Sequence, residues 1–109
     1  MLDNSRVTTS NQGWHKLCKL DALADGVTKI VELNGEHLYV TRLKQDIRVF
    51  DAICPHHASD LSFARISQGK VECPLHGWQF EVASGQCVRG GRNLIERQVK
   101  IENDILYVI

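Results

Sequence analysis

The chain has 109 residues, enough for one small domain, and 43% of them are hydrophobic, enough to build a core. Thirteen basic side chains balance thirteen acidic ones, so the basic excess expected of a nucleic-acid-binding domain is missing. No stretch is long and apolar enough to be read as a membrane span.

Residues 1–13 are polar, with Asp3, Asn4, Ser5, Arg6, Thr8, Thr9, Ser10, Asn11 and Gln12, and lack the apolar core of a secretory signal. They are expected to form a flexible lead-in to a single domain over 14–109, and the chain is expected to be cytoplasmic. From Trp14 onward the pattern is short β-type runs between turn signals, with no long 3.6-residue periodicity. Trp14 to Cys18 alternates apolar and polar residues and predicts a first strand. Asp21 to Leu23 predicts one helical turn. Thr28 to Leu33 and Glu36 to Leu43 predict a hairpin, because Asn34-Gly35 suits a two-residue turn that needs positive φ. Asp46 to Ala52 predicts another strand. Near the other end, Arg97 to Glu102 and Ile105 to Ile109 predict a second hairpin across Asn103-Asp104.

Between these strands, Lys70 to Glu72 and Trp78 to Val82 predict two short strands, and Ser84-Gly85 a closing turn. The fold class expected is all-β: a small antiparallel sandwich or barrel, with a subdomain inserted over about 54–85. That insert carries the chemistry. Cys54-Pro55-His56 is followed, with sixteen residues between His56 and Cys73, by Cys73-Pro74-Leu75-His76-Gly77-Trp78. Together the clusters offer two thiolates and two imidazoles to one metal centre. A tetrahedral zinc site is one reading of such a set. Zinc sites more often pair Cys-x-x-Cys with a second Cys-x-x-Cys or with two histidines, so two mixed pairs favour a two-iron centre.

The asymmetric spacing, Cys-x-His then Cys-x-x-His, resembles the Rieske signature, as do Leu61, Val71-Glu72 and Trp78-Gln79-Phe80 around it. The resemblance covers nearly all of the chain after the lead-in, and it implies the Rieske (ISP-like) architecture and one [2Fe–2S] cluster. It implies that Cys54 and Cys73 hold the inner iron and that His56 and His76 hold the outer iron. Two thiolates leave the oxidised centre neutral where four would leave it doubly negative, so adding an electron costs less. The potential rises from about −400 mV in plant-type ferredoxins to roughly −150 to +300 mV. The resemblance also implies that electron and proton affinities are coupled at alkaline pH through the second imidazole nitrogens.

Pro55 and Pro74 fix φ after each thiolate, leaving other loop amides to converge on the cluster sulfurs. Leu61, Trp78 and Phe80 serve either as a shield for the cluster or as ordinary core. His57, directly after a ligand, is expected at the surface. His15 and His37 are expected on polar strand faces far from the loops. Cys18 and Cys87 are expected to be thiols, as suits a reducing compartment.

High-potential Rieske proteins carry an extra, disulfide-bonded cysteine in each ligand loop, where this chain has Ser59 and Leu75. They also carry a serine and a tyrosine that donate to the cluster, where this chain has Trp78 and Phe80. Fewer donors imply a potential at the low end of the range. The segment Arg89-Gly90-Gly91-Arg92 replaces a proline-containing loop found in many Rieske-type ferredoxins.

The function implied is that of a stand-alone, low-potential Rieske-type ferredoxin. It would carry single electrons from an NAD(P)H-dependent flavoprotein reductase to a terminal oxygenase of the ring-hydroxylating type. No substrate-transforming site of its own is expected, and no membrane or nucleic-acid partner. The small subunit of an assimilatory nitrite reductase is the alternative. An oxygenase α-subunit fragment and a zinc-stabilised interaction module are weaker ones; the first is disfavoured because Ile105 to Ile109 reads as a closing edge strand.

Overall fold

Two-residue turns fold the framework back on itself. In the computed structural model, which describes residues 13–55, 59–75 and 77–109, strand β1 (His15–Lys19) passes through a 3₁₀ turn, Leu20–Ala22, to β2 (Thr28–Leu33) and β3 (Glu36–Leu43). Asn34 and Gly35 have φ of 52° and 83°, the turn conformation whose twist matches the paired strands. β4 (Asp46–Asp51) continues the meander, in register from Leu43 opposite Asp46 to Leu38 opposite Asp51. Six short strands follow: β5 (Ile53–Cys54), β6 (Ser59–Asp60), β7 (Ile66–Ser67), β8 (Lys70–Glu72), β9 (Gln79–Glu81) and β10 (Cys87–Arg89). β11 (Glu96–Arg97), β12 (Val99–Glu102) and β13 (Ile105–Val108) end the described chain.

All pairings are antiparallel, in sheets of order β11-β4-β3-β2, β1-β13-β12, β10-β9-β8-β7 and β5-β6. The all-β architecture expected from the sequence is therefore present. Among the described residues the 3₁₀ turn is the whole helical content, and no helix is long and apolar enough to cross a membrane.

Two local expectations change. The strand read as Arg97 to Glu102 is divided at Gln98. Arg97 lies opposite Val49 in one sheet, whereas Val99 lies opposite Val108 in another, so the chain changes layers between them. Arg97 fixes the first half by pairing with Asp51 at 2.8 Å and with Glu36. In β1 the register slips between Lys16 and Cys18, a bulge that lets Leu17 and Cys18 both pack on the core despite their sequence alternation.

The centre of the molecule is β3. Leu38, Tyr39, Val40 and Thr41 are consecutive and all buried, so this strand is covered on both faces. Leu38 and Val40 join Leu23, Ile47, Val49, Leu106 and Val108 in one apolar cluster. Tyr39 joins Phe50, Ala52, Cys54, Leu61, Val71, Cys73, Phe80, Val82 and Leu94 in the other. The Thr41 hydroxyl donates to the Val82 carbonyl at 2.9 Å and ties the second cluster's covering layer to the strand.

Candidate metal centre

The first motif leaves the framework at Ala52. Its amide donates to the His37 carbonyl at 3.0 Å, and the Leu61 amide donates to the Ala52 carbonyl at 2.8 Å, closing the loop at its base. Ile53 pairs with Asp60 and Cys54 with Ser59, so β5 and β6 run antiparallel on either side of the first motif. The second motif follows β8. The Cys73 amide donates to the Trp78 carbonyl at 2.7 Å, and the Gly77 amide donates back to the Cys73 carbonyl at 2.9 Å. This reversal needs a positive φ at Gly77, 74°, which glycine adopts without steric cost.

Cys54 and Cys73 are each 1% exposed and belong to the same apolar cluster. The fold thus brings one cysteine from each motif into one water-excluded region. His56 and His76, the expected nitrogen ligands, and the neighbouring His57 lie outside the described residues. Leu61 and Phe80 are fully buried beside the cysteines, and Trp78 packs half-buried against them. The sheet register explains Phe80: Ile66, Val71, Phe80 and Cys87 lie opposite one another in a row that faces the cluster.

Two residues of this region escaped the sequence reading. Tyr39 is completely buried and its hydroxyl donates to the Leu61 carbonyl at 2.7 Å, pinning the first loop from below. Burial, and after it the charge of Asp60, push the phenol's pKa up, so the hydroxyl keeps its proton as a donor. His37 is not remote from the loops. With Leu38 opposite Asp51, His37 falls beside Ala52, and its ring lies 6.4 Å from that of Phe63, tilted by 57°. Closing the β3–β4 register on Leu43 and Asp46 would have revealed this. His15 stays on an exposed strand position as expected. Asp60 accepts the Ser62 amide at 2.9 Å, and that bond holds its carboxyl below the usual range.

Cys18 and Cys87 are half-buried thiols outside any disulfide. Burial pushes the Cys18 thiol up, with Lys29 opposing, so it is a poor nucleophile.

Residues 13–95 match the Rieske [2Fe-2S] domain family. The chain belongs to that family. A Rieske domain carries one [2Fe–2S] cluster, and two buried thiols in one apolar cluster, one from each motif, fit the sulfur half of its ligand set. The naphthalene 1,2-dioxygenase/salicylate 5-hydroxylase ferredoxin component of a Ralstonia species is 30% identical over 94 residues, covering 84% of this chain and 90% of that protein. The cholesterol 7-desaturase nvd of Xenopus laevis is 37% identical over 79 residues, 71% of this chain, which spans only 17% of that protein's length. Among solved structures, a chain in the complex of reduced oxygenase and oxidised ferredoxin of carbazole 1,9a-dioxygenase superposes with a TM-score of 0.67 at 27% identity. That match covers 90% of this Rieske chain and 94% of the other.

Proposed function

We propose that Cys54, His56, Cys73 and His76 hold one Rieske [2Fe–2S] cluster and that the protein is a cytoplasmic one-electron carrier. In this reading it accepts electrons from an NAD(P)H-dependent flavoprotein reductase, passes them to a terminal oxygenase, and transforms no substrate itself. The observation that carries the reading is the burial of Cys54 and Cys73, from motifs far apart in sequence, in one apolar cluster. The match to the Ralstonia ferredoxin component, over 90% of that protein's length, supports the carrier reading.

The cluster, when bound, supplies a one-electron couple. The protein's own residues supply the rest. Leu61 and Phe80 keep water from the thiolates, which strengthens every charge interaction at the site. Tyr39 and Ala52 fix the first loop, while the mutual backbone bonds of Cys73, Gly77 and Trp78 fix the second. The insert over about 54–85 is proposed as the cluster-binding subdomain of a single domain over 14–109. In this reading the missing hydroxyl donors at Trp78 and Phe80 imply a potential at the low end of the Rieske range.

Iron and sulfide analysis with visible and EPR spectra tests the ligand set. Two irons and two sulfides per chain with a Rieske-type signal are expected; a colourless protein with stoichiometric zinc overturns the reading. Turnover in a reconstituted reductase and oxygenase tests the carrier role, and co-purification with a sirohaem reductase would assign the small-subunit role in its place.

A further inference from the structure

We propose that the loop from Arg89 to Arg92 is a recognition element for a carboxylate-rich surface on the protein that exchanges electrons with the metal centre. The inference rests on the electron-carrier reading and adds to it the chemistry of the partner. Three observations place and orient the loop.

Its base is closed twice: the Cys87 amide donates to Oδ1 of Asn93 at 2.9 Å, and the Leu94 amide donates to the Gly85 carbonyl at 2.8 Å. Its floor is the indole of Trp78. A Cβ on Gly90 would stand 2.7 Å from the Trp78 Cγ, and one on Gly91 3.5 Å from its Cη2, so the bare backbone rests against the ring. Gly90 has a φ of 137°, a conformation that other residues rarely adopt. Because the Trp78 carbonyl accepts the Cys73 amide, the loop is seated on the segment that presents the second ligand pair.

The third observation is charge. Arg89 and Arg92 are exposed, and among the described residues neither guanidinium meets a carboxylate. The framework differs: Arg48 pairs with Glu96, and Arg97 with Asp51 and Glu36. Both carboxylates of the loop's own sheet are already engaged. Glu72 accepts from Gln79 at 2.9 Å, and Glu81 from Ser84 at 3.1 Å. A bulge between Cys87 and Arg89 brings Arg89 opposite Gln79, in line with Glu72. Two unpaired planar forks on a fixed loop match carboxylates in both geometry and sign.

An anionic redox probe stands in for the partner's carboxylates. The dithionite-reduced protein is mixed in a stopped-flow instrument with hexacyanoferrate(III), which takes one electron from the centre and becomes hexacyanoferrate(II). Tris(phenanthroline)cobalt(III), a cation that also takes one electron, is the counter-probe. The double variant Arg89→Ala/Arg92→Ala should be oxidised by hexacyanoferrate about three- to tenfold more slowly at low ionic strength. The difference should shrink as salt screens it. Oxidation by the cobalt complex should not slow. Lys16→Ala/Lys19→Ala removes the same net charge from β1, whose sheet carries neither Cys54 nor Cys73, and should leave the hexacyanoferrate rate unchanged. Equal slowing in both doubles, or none in the arginine double, overturns the proposal while the spectra keep the cluster. A wild-type chain without the two-iron spectrum overturns the carrier reading first and this inference with it.

Discussion

The two apolar clusters on either side of β3 are made from different side chains. The framework cluster (Leu23, Leu38, Val40, Ile47, Val49, Leu106 and Val108) is aliphatic throughout and contains no side-chain polar atom. The other contains Tyr39, Phe50, Phe80 and both buried cysteines. Burial alone explains the first, since each aliphatic side chain removed from water contributes roughly 1.5–3 kcal/mol. The second must also hold two sulfurs at fixed places, and its members carry specific bonds, such as that from Tyr39 to Leu61. The framework side is a stabiliser. The other side is a mount.

Substitutions can separate these roles. The largest effect is expected at the ligands: Cys73→Ala, His56→Ala or His76→Ala should abolish the Rieske absorption and EPR signal, while His57→Ala should retain both. A wild-type spectrum in either ligand-histidine variant would show that the nitrogen donors lie elsewhere. On the framework side, Leu38→Ala should lower unfolding free energy by about 2–5 kcal/mol, read from urea titration. Its reduction potential should stay at the wild-type value; a shift would mean that the two sides are coupled through β3. Tyr39→Phe sharpens the contrast, because it changes one bond and little volume. The Leu61 carbonyl keeps the Ala64 amide as a donor at 3.0 Å, so losing the tyrosine bond should cost about 0.5–1.5 kcal/mol. The phenol's raised pKa makes that loss equal across neutral and mildly alkaline pH. The smallest effect belongs to Asp60. Its folded pKa is lowered, so its contribution is present above the unfolded carboxylate value and disappears as pH falls through the folded one. Asp60→Asn should therefore lower stability slightly near neutral pH, flatten the acid limb of the profile, and match wild type below the folded pKa. An acid limb as steep as wild type would assign it to other carboxylates.

Much of this was readable before any coordinates. The β2–β3 hairpin follows from Asn34-Gly35, and the β12–β13 turn from Asn103-Asp104, because turn geometry is local. The two proposed ligand motifs stand out because metal chemistry restricts residue type and spacing together. What escaped was non-local. The layer change at Gln98 depends on what lies opposite Arg97 and Val99, and neither partner is near in sequence. Strands as short as β5, β6, β7 and β10 hold too few residues to show a period of two. Tyr39 lies 22 residues from the carbonyl it bonds, in a stretch where every side chain is buried and none announces a special role. The fit of Gly90 on Trp78 is a matter of contact, with glycine giving no clue to what rests against it.

The double coverage of β3 also bears on how the molecule is made. Strands β2, β3 and β4 form a meander with tight connections, the kind of local contact set that closes quickly. Its aliphatic side needs no metal. Once Leu106 and Val108 are available to cover that side, the wall can therefore close before metal binds, with Tyr39 and Phe50 on the side that carries Cys54 and Cys73. Iron and sulfide would then arrive at a half-built vessel with one finished side. Of the two faces of this single strand, the one that needs only hydrocarbon is the one that can close without the cluster.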